Sequence, residues 1–85
     1  MEEQKQEQVL NIWRRYKIKI YKTFNPIPAT IYVQVLNADM EMFCDRIGEA
    51  LNGNAITFVN EKGKAKVYDR NIIVKIIIEE VPMKN

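Results

Sequence analysis

Few side chains in this sequence could do chemistry. The 85 residues include no histidine and no serine. The commonest general base and metal ligand is therefore missing, as is the commonest hydroxyl nucleophile. Cys44 is the one strong nucleophile type. It falls on the apolar stripe of a predicted helix with no histidine to activate it, which predicts a buried structural thiol. The acidic pairs are Asp39/Glu41, Asp45/Glu49 and Glu79/Glu80. Asp45 and Glu49 stand four apart, so on a helix they share a face and could bridge a hard cation. Arg46 adjoins them, however, and an amphipathic helix puts charge outside in any case. Glu79 and Glu80 are neighbours on a predicted strand and point apart. No Cys or His cluster offers a transition-metal site. Gly63-Lys64 lies in a hairpin rather than ahead of a helix, so it is no phosphate loop. These readings predict a protein that is not an enzyme, with no metal and no cofactor.

The positive signal is cationic and aromatic. Arg14, Arg15, Lys17, Lys19 and Tyr21 crowd one stretch, and Lys17, Lys19 and Tyr21 fall on one side of a strand. Lys62, Lys64, Lys66 and Arg70 frame a second hairpin, where Tyr68 shares a strand face with Lys66. Cations beside aromatic faces on a sheet can hold phosphates and stack bases. The predicted ligand-binding set is Arg14, Arg15, Lys17, Lys19, Tyr21, Lys64, Lys66 and Arg70. The competing role for such lysines is to keep a strand edge soluble. The net charge of +2 and the pI of about 8.7 are only mildly basic. A dedicated nucleic-acid domain usually lies above about 9.

The elements that must position these residues follow from periodicity. In the run from Ile72 to Ile78, all residues but Lys75 are β-branched and apolar, which predicts a strand. Both of its faces are greasy, so it is expected in the middle of a sheet, covered on both sides. Earlier in the chain, residues 3–15 have helical composition, and a frayed or disordered tail up to about Gln8 is the alternative. Tyr16 to Phe24 alternates as a strand, with Tyr16, Ile18 and Ile20 inward. Asn25-Pro26-Ile27-Pro28 is expected to form the turn, and Ala29 to Leu36 the next strand. Met40, Phe43, Cys44, Ile47 and Leu51 make one apolar stripe of a helix over about Ala38 to Leu51, with Asn37 as its N-cap. Asn54 to Asn60 and Lys64 to Asp69 are strands joined by a hairpin at Asn60-Glu61-Lys62-Gly63. Pro82 ends the last strand.

The expectation is one small α+β domain over residues 1–85, β-β-α-β-β-β with a mainly antiparallel sheet, one well-formed helix on one face and an optional N-terminal helix. One helix covers one face only, so a second copy is expected on the other, with a homodimer the favoured assembly. No apolar run reaches the roughly 18 residues of a membrane span. The acidic, polar N-terminus and the single cysteine point to the cytoplasm. The functional expectation is a non-catalytic binding module that captures nucleic acid or a small nucleotide on its basic-aromatic sheet face. The alternative is a protein-interaction module that modulates or inhibits another protein. The layout resembles that of many short proteins of bacteria and their phages, a loose likeness that carries no function over.

Overall fold

A computed structural model describes residues 11–84. Its organising strand is β1 (Trp13–Lys22). Tyr16, Ile18 and Ile20 are fully buried on one of its faces, while Lys17, Lys19 and Tyr21 stand half-buried on the other. Strand β2 (Asn25–Leu36) pairs antiparallel on one side of β1, setting Val33 against Tyr16 and Ile31 against Ile18. The last strand lies on the other side, so the strand that follows β1 in sequence and the strand that ends the chain both flank it.

The turn between β1 and β2 is Thr23-Phe24, not the proline segment. Between the pairs Ile20–Ala29 and Lys22–Asn25, the single residue Tyr21 faces Pro26, Ile27 and Pro28. Prolines fit this bulge on an outer strand because no ladder N–H is required of them. Phe24 takes a left-handed φ of 65° and is fully exposed.

The helix expected over residues 3–15 does not reach its predicted end, because Trp13, Arg14 and Arg15 belong to β1 and pair with Leu36, Val35 and Gln34. Its earlier part, and the tail to Gln8, lie almost wholly outside the described residues. Asn37 fixes this end of the hairpin. Its N–H donates to the Ile12 carbonyl and its Oδ1 accepts from the Ile12 N–H, both at 2.8 Å. Tertiary pairing has overridden a weak helical propensity.

Asn37 is thus not the cap of helix α1 (Met40–Ala50). Asp39 is, with Oδ1 accepting from the Met42 N–H at 3.0 Å. Phe43 and Ile47 are buried beneath α1, and the Phe43 ring stacks on Tyr16 at 4.6 Å. Cys44 is exposed, against the expectation of a buried thiol: the contact stripe is narrower than the apolar pattern.

Strands β3 (Ala55–Val59) and β4 (Ala65–Asp69) form a separate hairpin. Gly63 supplies its left-handed residue at φ 84°. Asn60 Oδ1 accepts from the N–H groups of Lys62 and Lys64, both at 2.9 Å. Ile56, Phe58 and Tyr68 join the core. A single 3-10 turn, Arg70–Ile72, then leads into β5 (Ile73–Val81).

The described chain is therefore α+β, mainly antiparallel strands with one helix. The three-stranded sheet has the order β2-β1-β5. The greasy run of β5 lies at an edge, not in the middle, and Val74 and Ile77 stay 64% and 42% exposed. Residue type announced a strand there; the alternation of β1 is what marks a strand flanked on both sides and covered on one face. Helix α1 and the β3–β4 hairpin pack their buried side chains against the Tyr16–Ile18–Ile20 face. The opposite face is reached only at one end among the described residues, where Glu61 of the β3–β4 turn and Pro82 bury Arg15; Lys17, Lys19 and Tyr21 beyond it stay half-buried.

Candidate functional site

That uncovered face is where the sequence concentrates its cations and aromatics. In an antiparallel ladder, directly opposed residues share a face. The rows across the sheet are therefore Gln34–Arg15–Val81, Tyr32–Lys17–Glu79 and Thr30–Lys19–Ile77, followed by the pair Tyr21–Lys75. Trp13, half exposed, lies opposite Leu36 at the far end. The Lys75 ammonium sits 4.7 Å from the centre of the Tyr21 ring.

The two arginines of the predicted set are already engaged. Arg15 is 9% exposed; its Nε and Nη2 donate to the Glu61 carboxylate at 2.8 and 3.3 Å. Its Nη1 donates to the Pro82 carbonyl at 3.4 Å, and its Cζ lies 4.4 Å over the Tyr32 ring. Hydrogen bonding from Arg15, ahead of the guanidinium's charge, holds the Glu61 carboxyl below its usual range, and the same bond raises Arg15. Glu61 is placed by its own N–H, which donates to the Tyr32 carbonyl at 3.0 Å. The β3–β4 turn is thereby tied to the outer edge of β2. Arg14 points to the covered side of the sheet and donates to Glu80 at 3.0 Å; that bond, then the charge of Glu80, raises it. Both arginines are therefore ion-paired within the fold.

Lys17, Lys19 and Tyr21 do stand together on the open face. Lys64 and Lys66 line a groove of about 570 Å³ between the β2 edge and the β3–β4 hairpin, along with Lys62 and Lys84. The groove and the open face are continuous, because Thr30 and Tyr32 line the groove and lie opposite Lys19 and Lys17. Of these lysines only Lys84 has an ion partner among the described residues, Glu61 at 3.9 Å. Arg70 is not part of this surface. It lies at the end of α1, where its Nε donates to the Leu51 carbonyl. Tyr68 is buried, with the Lys22 ammonium 5.8 Å from its ring.

Sequence reasoning missed Tyr32, Lys75 and Lys84 as members of this surface. Tyr32 was detectable: it alternates with the buried Ile31 and Val33, so it must share the face of Lys17 once β1 and β2 pair. Lys84 had no such signal, since it arrives from beyond the last strand.

Among the described residues no three His, Cys, Asp or Glu side chains converge as metal ligands, and no helix is long and apolar enough to cross a membrane. The chain matches no protein-family model, no curated protein and no solved structure.

Proposed function

We propose that the open face of the sheet and the adjoining groove bind a single-stranded nucleic acid without catalysis. The phosphates lie along Lys17, Lys19, Lys62, Lys64 and Lys66, and the bases stack on Tyr21, Tyr32 and Trp13. The carrying observation is the Tyr32–Lys17 and Thr30–Lys19 rows, which join sheet cations that have no ion partner among the described residues to those of the groove. From Trp13 to Tyr21 the strand spans about 26 Å at about 3.3 Å per residue, longer than one nucleotide, which favours a strand over a mononucleotide. Aromatic stacking with cations tracking the backbone is the usual sequence-tolerant mode for single strands. Fluorescence anisotropy of labelled oligo(dT) at low and moderate salt tests this. Binding that weakens as salt rises is expected. No binding at low salt, or affinity indifferent to salt, refutes it.

A second reading, a protein-interaction module that modulates or inhibits another protein, is favoured by one different feature. The β1–β2 tip presents Phe24, fully exposed and at positive φ, beside Ile27, 72% exposed. A bulky residue held at positive φ without burial is a local cost with no return inside the fold. On this reading Phe24→Asn abolishes capture of the partner and leaves oligonucleotide binding intact. Loss of oligonucleotide binding in that variant counts against it.

A further inference from the structure

The two edges of the three-stranded sheet are treated differently. The β2 edge is blunted by Pro26 and Pro28 in a bulge, and the Glu61 N–H occupies the Tyr32 carbonyl. The β5 edge has no such device over most of its length. It runs nine residues, carries no proline, and is irregular only at its start, where pairing shifts between Tyr21–Lys75 and Lys22–Ile73. Among the described residues nothing pairs with its outer side. Such an edge is a template for another strand.

We propose that this edge pairs antiparallel with β5 of a second copy of the chain, centred on Ile77. Side-chain pattern selects both the partner and the register. Centring on Ile77 sets Lys75 opposite the partner's Glu79 on both sides of the two-fold axis, Ile76 opposite the partner's Ile78, and Ile77 against itself. Directly opposed residues in an antiparallel pair must share a face. Here they do, because Lys75, Ile77 and Glu79 all lie on the open face while Ile76 and Ile78 lie on the covered one. A shift of the centre to Ile76 or Ile78 sets charged residues against isoleucine. Neither Lys75 nor Glu79 has an ion partner among the described residues of its own chain. The pairing would build a six-stranded sheet in the order β2-β1-β5-β5-β1-β2. The Lys17–Lys19 rows of both copies would then lie on one continuous face.

Sedimentation equilibrium of the full chain, combined with cysteine cross-linking, tests this. The wild-type chain is expected to show twice its monomer mass. Lys75→Glu turns two attractive cross-strand pairs repulsive and is expected to weaken the dimer about tenfold. Adding Glu79→Lys to that variant restores the complementarity and the dimer. In a Cys44→Ala background, Ile77→Cys meets its own copy at the axis and forms a disulfide under mild oxidation. Lys75→Cys lies about 13 Å from its copy and does not. Circular dichroism checks that each variant folds. A wild-type monomer at all concentrations overturns the proposal, as does equal cross-linking at positions 75 and 77 or a failure of the double charge swap to recover the dimer in folded protein.

Discussion

If the open face binds nucleic acid, its lysines must set the salt dependence, and the structure says which of them count. Lys17, Lys19, Lys62, Lys64 and Lys66 have no ion partner among the described residues, while Arg14 and Arg15 are neutralised by Glu80 and Glu61. With one phosphate at each of the five free lysines, log K should fall against log salt with a slope of about −3.5, at about −0.7 per contact on a single strand. Between about 50 and about 200 mM salt, that is roughly a hundredfold loss of affinity. Replacing Lys17 and Lys19 by glutamine removes two contacts. The slope should drop to about −2.1, and the loss over the same range to roughly twentyfold. Arg14→Gln is the control: it removes one positive charge against the double variant's two, but one that Glu80 already offsets, so the slope should not move. Anisotropy titrations of labelled oligo(dT) at several salt concentrations give all three slopes. An unchanged slope in the double variant would refute the role of this surface, and a fall with Arg14→Gln about half that of the double variant would show that net charge governs binding instead.

Two other predictions concern the groups that titrate with folding. Because Arg15 holds the Glu61 carboxyl below its unfolded value, the pair stabilises the fold above the ordinary carboxylate range, near about 4.3, and loses that contribution as pH falls through the lower folded value. Thermal melts should therefore decline more steeply toward acid in the wild type than in Glu61→Gln, and parallel curves would discount the pair. Burial first, then the charge of Glu80, pushes the Tyr16 phenol up, so the fold keeps this contribution below about pH 10 and loses it as pH rises through the folded value. Tyr16→Phe should remove that alkaline limb and cost about 1–3 kcal/mol at neutral pH in denaturant unfolding, because the buried Ala38 carbonyl loses its 2.8 Å donor.

Local patterning carried much of the fold into view. The alternation of Tyr16, Ile18 and Ile20 with Lys17, Lys19 and Tyr21 fixed the faces of β1, and Gly63 marked its hairpin. What it left hidden depended on which strand neighbours which. The isoleucines of β5 read as a doubly covered strand because β-propensity reports packing suitability and not position in the sheet. The Pro26–Pro28 segment read as a turn because a bulge on an outer strand tolerates proline as well as a loop does. The basic set was assembled from sequence proximity. Arg14 and Arg15 are adjacent in the chain, but adjacent residues on a strand face opposite ways, and each meets a carboxylate more than forty residues away. Cations that look equivalent in sequence thus divide, once folded, into lysines on the open face and its groove and arginines paired with carboxylates.

The placement of β1 at the centre has a consequence for everything outside the core. With α1 and the β3–β4 strands packed on one side, much of the other side of β1 is left to water. Lys17 and Lys19 stand there between the rings of Trp13 and Tyr21, their long stems covering apolar surface while the charge stays wet, whereas Arg15 is buried against Glu61. A purely solubilising face would not need the rings. Lys75 lies over Tyr21 and Arg15 over Tyr32. On the proposed reading these ordered rings receive the bases, which lowers the cost of binding because the rings are placed before the ligand arrives. The phosphates then fall to Lys17 and Lys19, for which no ring contact is present among the described residues, and their ordering is a cost that binding itself must meet.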